Sequence, residues 1–272
     1  MKIAVAAYPI DWHNRWNEYV GKLRLWVRSA AEAGAELIVF PDLAALEIAS
    51  LAGEDNAGDP RRATDALTAR IKDVDDLHAS LAREFGAHIL AAAGPLRLPD
   101  GRVVDRARLF APGGERGAAD QVAPAPALRD AFGLASGAAA TAFDTALGRI
   151  GVLLGADLFE PELAAGLRDA GAGVLLAAAV AESPDAAAAL REAASVRARE
   201  TGLPVALAVA IGDATWTPAL GRAVGAAAVY GPDGAELAAG KADTPGWVHA
   251  EVTPAPAAIA TGSGSAALVA LA

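Results

Sequence analysis

Residues 148–162 read Gly148-Arg149-Ile150-Gly151-Val152-Leu153-Leu154-Gly155-Ala156-Asp157-Leu158-Phe159-Glu160-Pro161-Glu162. The run from Arg149 to Leu154 has the length and apolar character of a buried strand. Gly155 and Asp157 interrupt it, and Pro161 stands where a first helical turn tolerates a missing N–H. Gly171 then closes that helix. The stretch therefore predicts strand, tight turn and helix in succession. The same unit recurs downstream. Gly173 to Ala178 reads as a strand, and Ser183-Pro184-Asp185 supplies a capping hydroxyl, a first-turn proline and a first-turn acid. The helix it opens runs to Thr201 and stops at Gly202, and Leu203 to Ile211 is the next strand.

Upstream, Ile3 to Tyr8 is a short apolar run suited to a central strand. Val20, Leu23, Val27 and Ala30 form a helical stripe within Asn17–Gly34. Glu36 to Phe40 is a second strand, closed by Pro41. A Gly/Asp/Pro-rich loop over 53–60 precedes a long helix marked by Leu67, Ile71, Val74, Leu77, Leu81 and Phe85, and Ala87 to Ala93 is a strand. Between the halves, Pro99-Asp100-Gly101 and Pro112-Gly113-Gly114 signal hairpin turns. Arg222 to Tyr230 and Trp247 to Val252 read as two late strands, with a Pro232-Asp233-Gly234 turn after the first. There is no linker and no sequence repeat. The expectation is one α/β domain over 1–253 and an Ala/Gly/Ser/Pro-rich tail over 254–272.

Composition narrows the function. Of 272 residues, 54% are hydrophobic and 21% charged, a globular balance. Lys plus Arg is 23 against 33 Asp plus Glu, a net charge of −10, which argues against a general nucleic-acid binder. Cysteine is absent, so no disulfide, thiolate metal site or cysteine nucleophile exists. The four histidines, His13, His78, His88 and His249, are scattered, so neither a metal nor a cofactor is expected. Mean hydropathy is +0.30, mostly from alanine. Apolar runs such as 174–181 fall far short of the roughly 20 residues a spanning helix needs. Pro9 and Asp11 break the first apolar run, which reads as a strand rather than an export signal. A cytoplasmic chain with no membrane partner is expected. No Gly-x-Ser-x-Gly elbow or phosphate loop is present.

Taken in order, several segments resemble the nitrilase, or carbon-nitrogen hydrolase, superfamily. Gly34 to Asp42 (Gly-Ala-Glu-Leu-Ile-Val-Phe-Pro-Asp) is similar to its strand ending in Phe-Pro-Glu. Leu109 to Gln121 is similar to the hairpin that leads to an active-site lysine. Gly148 to Glu162 resembles its strand, nucleophile elbow and Pro-Glu helix start. Arg197-Ala198-Arg199-Glu200 resembles a downstream Arg-Ala-x-Glu helix motif. The resemblance implies a four-layer α-β-β-α sandwich that dimerises through helices. It also implies a mechanism in which a glutamate acts as base, a lysine stabilises the tetrahedral intermediate and a cysteine forms a thioester.

The positions matching that triad here are Asp42, Gln121 and Gly155, and all differ. Asp retracts the carboxylate by one methylene, and a misplacement of about 1 Å can cost roughly 100-fold. Gln drops the charge at a position where losing one donor costs about 100- to 1000-fold. Gly removes the nucleophile, which closes the covalent route. No lysine lies between Lys72 and Lys241 to substitute. The resemblance thus implies a pseudoenzyme acting through a small ligand or through subunit assembly. The alternative is a hydrolase of amide or nitrile C–N bonds with a non-standard site.

Asp42 reads equally as a turn cap at a strand end and as a pocket carboxylate. Asp157 and Glu162 read as stabilisers of the helix start. Glu47 reads as a solvated loop charge or as a second carboxylate near the pocket, beside Ala156 and Asp157. Arg197 and Glu200 read as an ion pair. Small side chains at 155 and 156 are expected to enlarge the pocket unless neighbours such as Trp216 or Phe159 collapse into it. Such a pocket is expected to take a neutral or cationic small molecule. The helices at 161–170 and 184–201 are the expected interface of a homodimer or higher homo-oligomer, or of a pair with an active relative. The three substitutions lie at strand ends and loops, so cooperative folding is expected to survive them.

Overall fold

The computed structural model describes residues 1–217, 220–256 and 266–270. The chain runs β1 (Lys2–Pro9), α1 (Trp16–Glu32), β2 (Leu37–Val39), α2 (Glu47–Ser50), α3 (Glu54–Ala57), α4 (Pro60–Phe85) and β3 (His88–Leu90). It continues with β4 (Gly94–Arg97), β5 (Val103–Phe110), β6 (Arg116–Asp120), α5 (Pro126–Phe132), β7 (Ala140–Thr145) and β8 (Gly148–Leu154). A 3-10 turn (Gly155–Phe159) leads to α6 (Pro161–Asp169), β9 (Val174–Val180), α7 (Pro184–Thr201) and β10 (Val205–Thr217). The remaining strands are β11 (Leu220–Ala223), β12 (Ala228–Tyr230), β13 (Glu236–Ala239), β14 (Gly246–Glu251) and β15 (Ala266–Ala270).

Alternation along β1 explains the layers. Ile3, Val5 and Ala7 join Leu37, Val39 and Leu109 in the interior shared with β8, β9 and β10. Ala4, Ala6 and Tyr8 face the other way, against Leu23 and Val27 of α1 and Leu67, Val74 and Leu81 of α4. Leu163 and Leu167 of α6 and Leu190 and Ala194 of α7 cover the second half from outside. The result is the four-layer α-β-β-α sandwich. Its two sheets are joined where Ala7 of β1 pairs in parallel with Val209 of β10, giving the strand path β15-β7-β8-β9-β10-β1-β2-β3-β5-β4.

Local chemistry sets most boundaries. Ser183 accepts from Ala186 N at 3.2 Å and caps α7. Asp59 caps α4, accepting from Arg61 N at 3.0 Å and Arg62 N at 2.9 Å, so that helix begins at Pro60 inside the segment expected to be loop. The same segment also holds α3. The single strand expected over 222–230 is two, β11 and β12, each pairing with a different part of β10. The reading of 254–272 as a tail is corrected at 266–270, where β15 pairs in parallel with β7 from Ala266↔Ala140 to Ala270↔Asp144. Residues 257–265 and 271–272 of that segment lie outside the described residues.

Candidate functional site

Three strand ends converge. Pro41 and Asp42 follow β2, Gln121 follows β6, and Gly155 follows β8. Gln121 is held at three points: its N–H donates to Asp105 O (2.9 Å), its carbonyl accepts from Gly137 N (2.7 Å), and its Nε2 donates to Leu154 O (2.9 Å), while its Oε1 is buried without a partner. Its amide therefore lies across the elbow. Gly155 has φ +50, a left-handed conformation that suits glycine at a sharp strand-to-helix turn. A Cβ built there would come within 2.8 Å of Asp42 Oδ2 and closer still to Gln121 Nε2. The expected enlargement beside Gly155 is thus corrected: Gln121 and Asp42 themselves fill that space. Trp216 and Phe159 do not. Trp216 meets Trp12 edge-on at 5.5 Å, and Phe159 is exposed.

Asp42 is fully buried, and its Oδ1 accepts from Leu43 N at 2.7 Å, so it does cap its turn. Leu43 has φ 56, a second left-handed residue against the same carboxylate, and a non-glycine residue there is strained. Asp105 of β5, which the sequence reading left out, is a second buried acid beside Asp42. Asp42 Oδ2 and both Asp105 carboxyl oxygens are buried with no hydrogen-bond partner, and neither acid forms an ion pair among the described residues. Burial pushes the Asp42 carboxyl up to about 6, partly offset by Asp105 beside it and by the bond from Leu43 N. Burial and the Asp42 charge push Asp105 well above the usual carboxylate range. Asp105 is therefore the acid that keeps its proton longer, because two adjacent carboxylates cannot both ionise in a dry site.

Asp157 is a structural pin. It is buried, and its carboxylate accepts from Val122 N (3.0 Å), Ala123 N (2.7 Å) and Leu154 N (3.4 Å). It thus ties the segment after Gln121 to the elbow, rather than stabilising the start of α6 as expected. Burial raises its carboxyl to about 6 against the lowering effect of those N–H groups. Asp157→Ala would leave Val122 and Ala123 without acceptors, at about 1–3 kcal/mol each when buried. We expect a net loss of about 2 kcal/mol in urea unfolding, because water reaches this partly buried pair. An unchanged midpoint would refute the pin. Ala156 beside it is half-buried.

Glu47 is corrected most. It is not solvated but fully buried, and its partners come from β1, the following loop and α1. Tyr8 Oη donates at 3.0 Å and Asp11 N at 2.6 Å, Lys22 forms an ion pair with it, and His13 Nε2 lies 3.6 Å away. None of these belongs to the Asp42 cluster, so Glu47 anchors the β1–α1 loop. Arg197 pairs with Glu200 at 3.0 Å, as the sequence suggests. Glu162 lies in the first turn of α6. Among the described residues no group of acids and histidines is arranged to hold a metal.

Several known proteins share this architecture. A carbon-nitrogen hydrolase from Helicobacter pylori G27 superposes with a TM-score of 0.78 at 16% identity, covering 92% of this chain and 88% of that one. Saccharomyces cerevisiae Nit3, of branch 10 of the nitrilase superfamily, gives 0.72 at 16% identity, covering 92% and 89%. An amidase from Nesterenkonia sp. AN1, seen elsewhere with acrylamide added to its active-site cysteine, gives 0.69 at 21% identity, covering 93% of each chain. The probable hydrolase YhcX of Bacillus subtilis (strain 168) is 22% identical over 238 residues, 88% of this chain. The chain spans about half the length of that relative, 46%. The carbon-nitrogen hydrolase family model matches residues 2–258. With the sandwich and the strand-end cluster in place, that match over nearly the whole chain makes this protein a member of the carbon-nitrogen hydrolase family, the nitrilase superfamily.

Proposed function

We propose that this chain is a non-hydrolytic member of its family, a pseudoenzyme that acts through subunit assembly. One observation carries the reading: at the elbow that would present a nucleophile stands Gly155, packed against the Gln121 amide, in a chain without cysteine. Asp42, Gln121 and Gly155 are the degenerate triad positions. The thioester route has no attacking atom, and the Gln121 amide is already committed to Leu154 O. The alternative, a water directed by Asp42 onto an amide or nitrile, has the raised carboxyl pKa in its favour. The filled space beside Gly155 opposes it. A small molecule displacing Gln121 would meet three buried acids, Asp42, Asp105 and Asp157, and so would be neutral or cationic.

Intact-mass spectrometry after incubation with short amides and nitriles tests the covalent route. No acyl adduct is expected, and an adduct on any residue of the elbow would overturn the reading. For assembly, α6 and α7 are the proposed contact, with exposed Phe159 just ahead of α6 and small residues Ala186, Ala188 and Ala189 exposed on α7. Light scattering at tens of micromolar is expected to give a dimer or higher homo-oligomer, and a monomer throughout would remove the assembly role. Pairing with an active relative belongs to the same proposal. No described helix is long and apolar enough to cross a membrane, and the cysteine-free composition is compatible with residence in the cytoplasm.

A further inference from the structure

β5 has two chemically different faces. Ala107 and Leu109 join the interior between the sheets, on the side of Asp105. Arg106, Arg108 and Phe110 line a cavity of about 470 Å³ on the opposite side, between α4, β4 and β6. This cavity shares no lining residue with the Asp42, Gln121 and Gly155 cluster. Its floor holds Arg108, a guanidinium only 7% exposed. Asp75 of α4 forms an ion pair with Arg108 Nε at 2.6 Å, and Asp75 Oδ1, Arg108 Nε and Arg108 Nη2 are all buried without an aligned hydrogen bond.

Charge counting gives the sign of the missing partner. Arg97 is matched by Asp65 (2.8 Å), Arg106 by Asp120 through two bonds (2.5 and 2.8 Å), and Arg108 by Asp75. Arg116, exposed at the rim, forms no ion pair among the described residues. The cavity therefore keeps about one uncompensated positive charge in a chain whose net charge is −10. Ile71, Leu96 and Phe110 make the rest of the wall apolar. A guanidinium without an acidic partner, as at Arg116, prefers a planar carboxylate that accepts along its N–H directions. Apolar walls around a few convergent polar groups are the usual make-up of a small-molecule site.

We propose that this cavity binds a small monocarboxylate with an apolar body, its carboxylate accepting from Arg116 at the rim and its apolar body lying against Ile71, Leu96 and Phe110. The site is separate from the elbow, so it stands or falls independently of the proposed loss of hydrolysis. The probes are benzoate and hexanoate, with benzamide and hexylamine as neutral and cationic counterparts, followed by titration calorimetry on the full chain. One-to-one saturable binding of the carboxylates is expected, at least tenfold tighter than either counterpart. Arg116→Ala removes only an exposed charge and is expected to weaken carboxylate binding about 3- to 10-fold, an effect that shrinks in high salt. Ala118→Trp, placed to fill the half-buried rim, is expected to abolish binding while the circular dichroism spectrum is retained. If that variant does not fold, the Arg116→Ala comparison decides. Absence of saturable binding, equal affinity for benzamide, or affinity unchanged in Arg116→Ala would overturn the proposal and leave Arg108 as a purely structural partner of Asp75.

Discussion

Glu47→Ala is expected to lower the unfolding free energy by about 3–5 kcal/mol, the usual cost of removing one partner from a buried ion pair. The carboxylate is fully buried and receives bonds from Tyr8 Oη, Asp11 N and Lys22. Truncation strands Tyr8 Oη and Asp11 N and leaves the Lys22 ammonium, itself only 12% exposed, with Asp11 as its remaining acidic partner beside the Pro9 carbonyl. For a chain of this size a loss of that order lowers Tm by about 10 °C. Glu47→Gln keeps the shape and one acceptor, so it is expected to cost less. Thermal melts of the two variants beside the wild type decide the matter, and a Glu47→Ala melt within a degree of wild type would mean that the loop is anchored elsewhere.

The second large effect is a pH dependence. An aspartate in the unfolded chain ionises near its ordinary value of 3.8, whereas burial holds Asp42 to about 6 in the folded protein. The folded state therefore keeps this proton longer than the unfolded state. Its stabilising contribution is fully present below about pH 4 and is lost as pH rises through 6. At about 1.4 kcal/mol per pKa unit the loss is on the order of 3 kcal/mol. Asp42→Asn does not titrate, retains an acceptor for Leu43 N, and places an amide beside protonated Asp105. Relative to wild type, the variant should gain about that much stability between pH 4 and pH 8. The other acids titrate in both proteins, so the difference isolates Asp42 and its coupling to Asp105. Urea unfolding of both proteins at the two pH values measures it, and parallel stability curves would show that Asp42 is solvated in solution.

The layered frame was legible because it rests on local signals. The β8–elbow–α6 unit follows from an apolar run, a glycine and a first-turn proline, and α7 from its Ser183 cap. The convergence of Asp42, Gln121 and Gly155 follows from family order along the chain. What stayed hidden depends on contacts between distant segments. Asp105 lies on the inward face of β5, with Ala107 and Leu109, and an acid among such neighbours was the available signal. Glu47 looked like a loop charge because its partners lie 25 to 39 positions earlier in the chain, in β1, the following loop and α1. The filling of the elbow could not be read from residue sizes either. A shorter acid and an uncharged amide leave more room only if they stay where Glu and Lys would lie, and here Gln121 instead bonds Leu154 O across the turn.

Ammonia release by purified wild type and Asp42→Ala, over a broad panel of amides and nitriles, tests the central claim most directly. The closed elbow and the absent thiol predict no release above a protein-free blank for either. Wild-type release at a rate that Asp42→Ala abolishes would contradict the account, because it would place a working carboxylate and a bound substrate where Gln121 is now packed.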